Sequence, residues 1–298
     1  VTFNNSWQIV GSLLILTMAA CRSEPVTVSD RQDVWPRRVL ITNDDGIDSP
    51  ATLRLATAFS GLAETFLVAP EGNQSSSTNY SEAARTGRFH VERRDVGPGV
   101  AAWAVDGFPA DCVFFALAGP MRDSLPDLVI SGVNTGANLA DAWVHSGTIG
   151  AARVAAYYGV PAIAVSGIDN DDPQAVDAVA DWVVDLARSE VVRRLRPPQF
   201  LTVSLPVGPV SEIHGIEVTE RARGLRRIMA SLLPEAGEAP GREVWSFDVV
   251  RDAFPASPNT DASLVAEGRI AIVAMRVDES DPDLHQWLIR NRELIPAW

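Results

Sequence analysis

One repeated pattern narrows the possible folds more than any other feature: a short continuous apolar run, a polar stop, then a stretch with helical spacing. Val39-Leu40-Ile41-Thr42 is stopped by Asn43-Asp44-Asp45-Gly46. An apolar run without alternation reads as a strand buried on both faces, as in a parallel sheet. Leu53, Leu55, Ala56, Phe59 and Leu62 then recur at helical spacing, and Thr65-Phe66-Leu67-Val68-Ala69 is the next strand, ended by Pro70. That is a β-α-β unit within about 30 residues. The pattern continues with strands at 101–105, 128–131, 162–166 and 200–204, and helices at 110–118, 146–158 and 173–190. Residues 71–88 are polar and Ser-rich and read as a long loop. Alternating strands and helices predict an α/β fold with a mostly parallel sheet flanked by helices. After Pro206 the texture changes to strand-like pieces (216–219, 243–247, 269–277) between Gly- and Pro-rich stretches, which predicts antiparallel hairpins added to the core.

Composition removes whole function classes. The chain has 298 residues, 46% hydrophobic, ample for a large core and against a mainly disordered chain. Its net charge is -13, and it contains no Lys, so all 25 basic side chains are Arg. A chain this acidic repels phosphate backbones, which argues against a nucleic acid polymer as partner. Two cysteines, Cys21 and Cys112, build neither a disulfide framework nor a Cys-rich zinc site. The apolar run at 9–20 is too short for a span, which needs ~20 residues, and has the length of a signal-peptide core. It ends in Met18-Ala19-Ala20-Cys21, which resembles the lipobox of bacterial lipoproteins, although 1–7 lacks the usual positive charge. The expected organisation is a signal and lipobox segment at 1–21, a tether at 22–36, and an α/β domain at 37–298 with a hairpin region at about 207–277. The expected location is the bacterial cell envelope, lipid-anchored or periplasmic. The alternative is a cytoplasmic protein with a mis-called start.

In an open parallel sheet, ligands bind beyond the carboxyl ends of the strands. Asn43, Asp44 and Asp45 follow the first strand, Asn73-Gln74-Ser75 follow the second, and Asn134 and Asn138 follow the run at 128–131. All offer oxygen and none offers thiolate. Adjacent carboxylates repel unless compensated, and a hard divalent cation compensates them with carboxylate, amide and hydroxyl ligands. The plain alternatives are a turn with a helix N-cap for Asp44-Asp45, a loop for Ser75, and a Gly/Asn turn for Asn134 and Asn138. Ser146-Gly147-Thr148 opens a helix, and a helix start with free N–H groups and hydroxyls suits an anion, phosphate above all. An ordinary N-cap is the alternative there.

In chain order, Asn43-Asp44-Asp45-Gly46-Ile47, Asn73-Gln74-Ser75, the segments 106–113 and 126–138, and Ser146 to Ala152 resemble the SurE survival-protein family of 5'/3'-nucleotidases. Segments 215–224 and 260–272 resemble that family's later parts. The resemblance implies a Rossmann-like core with a C-terminal hairpin extension used in oligomer contacts, hence a homo-oligomer (dimer or tetramer). It implies a phosphatase that uses one divalent metal ion (Mg, Mn or similar) to release phosphate from a nucleoside monophosphate or related phosphoester. By motif position, Asp44, Asp45, Ser75 and Asn134 fall on the metal ligands. Asn138, Ser146, Gly147 and Thr148 fall where phosphate is held, and Asn43, with Asp44 and Asp45, falls among the catalytic positions. The rim departs from the family. Asp48-Ser49-Pro50-Ala51 replaces His-Ala-Pro-Gly and adds a negative charge, and Phe108, Ala142 and His145 also differ. His145 reads as a pocket-wall residue and Cys112 as a buried apolar side chain. Two other readings stand beside the nucleotidase: a non-catalytic periplasmic binding lipoprotein, and a phosphatase for a different small phosphoester. A dinucleotide oxidoreductase is disfavoured, because no G-x-G-x-x-G turn follows the first strand.

Overall fold

The computed structural model describes residues 35–223, 227–236, 242–250, 257–278 and 282–292. The expected signal segment and nearly all of the expected tether lie outside them. The chain runs β1 (Arg38–Thr42), α1 (Pro50–Ser60), β2 (Glu64–Pro70), α2 (Glu82–Thr86), β3 (His90–Arg94), β4 (Val100–Asp106), α3 (Pro109–Ala118), β5 (Leu128–Thr135), α4 (Gly147–Tyr157), β6 (Ala162–Ile168), α5 (Pro173–Arg188), α6 (Glu190–Arg193) and β7 (Gln199–Ser204). It continues through β8 (Gly215–Thr219), β9 (Arg227–Ala236), β10 (Glu243–Val250), α7 (Asp261–Ala266), β11 (Arg269–Arg276) and α8 (Pro282–Arg290). No helix among the described residues is long and apolar enough to cross a membrane.

The main sheet has the order β3-β4-β2-β1-β5-β6-β7-β11-β8. β4, β2, β1, β5, β6 and β7 are mutually parallel, and β3 pairs antiparallel with β4 at one edge. Alternate residues of β1 face opposite layers. Val39 and Ile41 pack with Leu55, Phe59 and the α5 valines, while Leu40 packs with the apolar side chains of α3 and α4. Two-sided burial is why β1 shows no polar alternation. The α5 stripe of Ala175, Val176, Val179, Ala180, Val183, Val184 and Ala187 is buried at helical spacing, as its sequence predicts. Pro50 and Pro173 start α1 and α5 at positions where a missing N–H costs nothing.

From β1 the chain winds outward through β2 to β4, and from β5 it winds the other way through β6 to β7. The direction therefore reverses between β1 and β5, and the crevice at their carboxyl ends is the topological switch point where such sheets bind ligands.

Three sequence readings need correction. The expected loop at 71–88 contains the short helix α2, and the polar edge strand β3 follows it; neither has an apolar period to announce it. β5 continues past Ser131 to Thr135, so Asn134 is a strand residue rather than part of a following turn. Gly132 makes this possible: its φ is +131°, and a Cβ there would overlap the Val165 carbonyl. The region at about 207–277 is only partly hairpins. β9 and β10 form a separate antiparallel pair. β11, however, pairs antiparallel with β7 and parallel with β8, so both extend the main sheet. The apolar residues of β11, Ile270 to Val273, are buried against the core and belong with it.

Candidate active site

The first strand delivers Asn43, Asp44 and Asp45 into the β1–β5 crevice. Asp44 is buried, 3% exposed, and Asp45 is half-buried. The Thr148 hydroxyl donates to Asp44 Oδ1 at 2.6 Å. The Thr135 N–H donates to Asp45 Oδ2 at 3.0 Å. Burial raises both carboxyls above their usual range; Thr148 pulls Asp44 back and the Asp45 charge raises it further, while Thr135 pulls Asp45 back. Among the described residues neither has an arginine ion-pair partner. A buried carboxylate without a counter-charge is costly, and a cation held between the two would offset that cost.

Asn43 is fully buried and its amide is spent on local structure. Its Nδ2 donates to the Gly46 carbonyl and to Thr52 Oγ1, both at 2.8 Å, and its Oδ1 accepts the Gly46 N–H. In the structure Asn43 fixes the turn that carries the two aspartates. Asn134 donates both amide hydrogens to the carbonyls of Thr135 and Gly136, at 3.0 and 2.9 Å. That orients its Oδ1 as the remaining acceptor. Ser75 is exposed on the 71–81 loop. Its tie to the carboxylates runs through the backbone, where the neighbouring Gln74 N–H donates to the Asp44 carbonyl at 2.7 Å.

Ser146 is the N-cap of α4 and accepts the Ile149 N–H at 3.1 Å. Gly147 lies so close to Asp44 that a Cβ would sit 2.9 Å from Asp44 Oδ2 and 2.7 Å from Ser77 Oγ. Gly150 is crossed by the 71–81 loop, and a Cβ there would overlap the Thr78 carbonyl. The Thr148 hydroxyl is bonded to Asp44 and so steers that carboxylate, a role the sequence reading did not assign to it. Asn138 donates to Ser166 Oγ at 2.8 Å. His145 is exposed at the end of the turn before α4, and its carbonyl accepts the Thr78 N–H at 3.1 Å. Asp48 is exposed and paired with Arg94 at 2.9 Å, so the charge added at the rim is balanced from β3. Cys112 is fully buried, and burial pushes its thiol well above the ordinary range, which removes it as a nucleophile.

Sequence reasoning missed Asn170, Thr135 and Ser77. Asn170 Nδ2 donates to Thr135 Oγ1 at 2.6 Å, behind the N–H that holds Asp45. It follows β6, so asking what lies beyond each strand end would have found it. Ser77 had no such signal.

The donor set fits a hard divalent cation. Among the described residues no three His, Cys, Asp or Glu side chains cluster, so any cation must also take hydroxyl and amide oxygen. Asp44, Asp45, Asn134 and Ser75 supply that chemistry. The buried Ser77 hydroxyl has no hydrogen-bond partner among the described residues, an unspent polar group facing the gap that Gly147 leaves.

Fold and site together define a class: an α/β domain with an oxygen-lined crevice of the donor chemistry that suits a hard cation, at a topological switch point, set against a helix N-terminus suited to phosphate. The profile of the family described as "Survival protein SurE" matches residues 39–227. The "5'-nucleotidase SurE" of Nitrosomonas eutropha is 33% identical over 256 residues, covering 85% of this chain and 99% of that protein. The "5'-nucleotidase SurE" of Vibrio campbellii is 31% identical over 263 residues, covering 87% and 97%. The crystal structure of the SurE protein from Aquifex aeolicus aligns with a TM-score of 0.69 at 26% identity, covering 86% of this chain and 99% of that one. The chain belongs to the SurE family.

Proposed function

We propose that this chain is a 5'-nucleotidase: a phosphatase that hydrolyses nucleoside monophosphates to nucleoside and phosphate with one divalent cation. The observation that carries the reading is the pair of buried Asp44 and half-buried Asp45, without a basic partner among the described residues, beside the gap at Gly147. Asp44, Asp45, Asn134 and Ser75 would hold the cation. When bound, a divalent cation polarises the phosphoryl group and lowers the pKa of an attacking water. Thr148 holds Asp44 in one rotamer, and Thr135 with Asn170 does the same for Asp45. The N-terminus of α4 and the Ser146 hydroxyl proton face the phosphoryl oxygens and gain most when charge builds in the transition state. Asn138, tied to Ser166, is a further candidate for the phosphate. Water attacks phosphorus, the ester P–O bond breaks, and the alcohol leaves with a proton.

The test is phosphate release from a panel of nucleoside monophosphates, with Mn, Mg or chelator, for wild type and Asp45→Asn. Turnover that needs metal and vanishes in the variant is expected. No turnover with any divalent cation would leave the binding-protein reading in its place.

Two further parts of the proposal rest on other residues. The β9–β10 pair exposes Met229, Leu232, Trp245 and Phe247, a surface suited to a second copy of the chain, so a dimer or tetramer is proposed. Sedimentation of wild type against Phe247→Glu tests it. Lipidation at Cys21 is proposed from the Met18-Ala19-Ala20-Cys21 segment, which would tether the enzyme to the cell envelope. Membrane partition and mass of wild type against Cys21→Ser in a lipoprotein-processing host tests that part. A soluble, unprocessed wild type would refute it and leave the metal site untouched.

A further inference from the structure

A nucleoside monophosphate is mostly nucleoside, and the Asp44–Asp45 crevice with the start of α4 accounts only for its phosphate end. A separate cavity of about 330 Å³ lies beside the crevice, lined by Gln74, Glu82, Arg88, Phe89, His90 and Phe108, among others. That volume falls at the lower end of the ~300–1,000 Å³ usual for small-ligand pockets.

The cavity shares the carboxyl edge of the sheet with the crevice. Gln74 follows β2, and Phe108 follows β4. β4 is two places from β1 in the sheet, roughly 10 Å at ~4.8 Å per strand. A nucleotide covers that span between its phosphate and its base. The side of the sheet is also the same. Phe108 is the N-cap of α3, and α3 and α4 pack in one layer through Val113, Ala116, Ile149 and Ala152. Gln74 joins the two regions, since it lines the cavity while its N–H donates to the Asp44 carbonyl at 2.7 Å. The Glu71 N–H donates to the Val105 carbonyl at 2.9 Å and holds the loop start against β4.

The lining suits a flat heterocycle. Phe108 is half-buried, and Tyr80 packs against its ring at 4.6 Å between centroids and 80° between planes. Phe89 is held in the same way by Phe115, at 6.1 Å and 89°. Aromatic walls fixed in place offer ring faces on which a base stacks. Around them the Gln74 amide carries both a donor and an acceptor, Arg88 donates and Glu82 accepts. Charges of both signs are present and partly paired, Glu82 with Arg85 at 2.6 Å and His90 with Asp106 at 3.5 Å. Such a lining favours the mixed donors and acceptors of a base edge over a second phosphate. Phe108 is one of the rim positions at which the chain departs from its family, so this ring is a feature of the chain itself.

We propose that this cavity holds the base of the nucleoside monophosphate, with Phe108 as the specificity-determining residue and Gln74 reading the edge of the base. The inference rests on the nucleotidase reading of the neighbouring crevice.

Two measurements on the full chain test it. The first is kcat/KM with Mn for adenosine 5'-monophosphate and for ribose 5-phosphate, a phosphoester of the same sugar without a base. The ratio is expected to favour the nucleotide in wild type. It should fall about tenfold in Phe108→Ala, the size of one lost stacking contact, and recover in Phe108→Tyr, which keeps the ring. Phe108→Leu keeps apolar bulk without a flat face, so it should lower the ratio too and decides the matter if Phe108→Ala folds poorly. Gln74→Ala leaves the backbone bond to Asp44 and should lower the ratio by different factors for adenosine and uridine monophosphates. The second measurement is saturation-transfer NMR with adenosine in chelator, where neither metal nor phosphate takes part. Wild type is expected to bind, and Phe108→Ala to bind more weakly. Equal losses for both substrates in the Phe108 variants overturn the proposal, because the ring would then only prop the loop. An adenosine signal unchanged in Phe108→Ala overturns it too. The two readings fail separately. No turnover with any divalent cation, with adenosine still bound through Phe108, removes the nucleotidase and leaves the base site. Equal turnover of both substrates in wild type, with no adenosine signal, removes the base site and leaves the phosphatase.

Discussion

Aspartates sit in two parts of this fold under opposite terms. In the β1–β5 crevice, the Thr148 hydroxyl donates to Asp44 Oδ1, and Thr135 donates to Asp45 Oδ2. At the corner where the 71–81 loop meets α3, Asp111 is as deeply buried as Asp44 but saturated. It accepts the Ser81 hydroxyl at 2.6 Å and the N–H groups of Glu82, Ala83 and Phe108 at 2.9 to 3.0 Å. Both kinds of acid are paid for in burial, but only the first keeps oxygen to spare. The comparison teaches that depth alone does not mark a reactive carboxylate. The discriminator is how many of its lone pairs the protein has already used.

The comparison breaks most visibly at Asp45. Asp45→Asn removes one charge from the cation's oxygen set, and loss of about 4 kcal/mol of transition-state stabilisation corresponds to roughly a thousandfold in kcat/KM. Circular dichroism should be unchanged. Wild-type turnover at low metal would erase the distinction between the two regions. Asp111→Ala should do the reverse. It strands a hydroxyl and several N–H groups, so stability should fall by about 3 kcal/mol or more, read as a lower urea midpoint. Activity per folded molecule should fall less than in Asp45→Asn, because Asp111 touches only the frame of the loop.

Thr148→Val sharpens the contrast within the crevice. It keeps the shape and deletes the bond to Asp44, so metal affinity should fall about 10- to 100-fold, as for other groups that orient a ligand. Unchanged metal affinity, with weaker phosphate inhibition, would return Thr148 to the phosphate role its position in the sequence suggested.

A pH experiment comes next in size. Asp44 and Asp45 have folded-state values raised above 3.8, first by burial. Over the window between the unfolded and folded values the folded state binds more protons, so their contribution to stability falls as pH rises through the folded values. The metal-free protein should therefore lose stability, relative to Asp44→Asn, as pH climbs from about the ordinary carboxylate value, and added Mn should reverse the loss. A difference between wild type and variant that does not change with pH would show that the crevice is already compensated. The smallest effect is expected at the rim. Arg94→Gln releases Asp48 from an exposed pair, so stability should change by less than about 1 kcal/mol. The KM for a dianionic substrate should rise modestly, and a lowered KM would contradict the charge argument.

Much of this was legible along the chain, and particular residues show why. Val39 to Thr42 could be read as a buried strand because both of its faces are covered, and the α5 stripe because one face is. Asp44, Asp45 and Ser146 could be placed because strand ends and helix starts are local features with local residue preferences. The edge strand β3 could not be read, since its side chains are mostly exposed and carry no apolar period. Nor could the extension of β5 to Thr135, which depends on Gly132 passing under the Val165 carbonyl, a neighbour that only strand pairing supplies.

By itself, then, the sequence determined the alternation of strands and helices, the positions of the oxygen-bearing turns and the exclusion of thiolate chemistry. These follow from short-range periodicity and side-chain type. The tertiary structure decided which of those oxygens remain unspent. It assigned Asn43 to a turn, Thr148 to Asp44 and Asp111 to a loop corner, and it left Asp44, Asp45 and the Ser77 hydroxyl with capacity to spare. It also brought Gln74, Phe89 and Phe108 around one cavity from three separate stretches of chain. The physical reason is that hydrogen-bond saturation and charge compensation are sums over spatial neighbours, and the neighbours at these sites lie far apart in the chain.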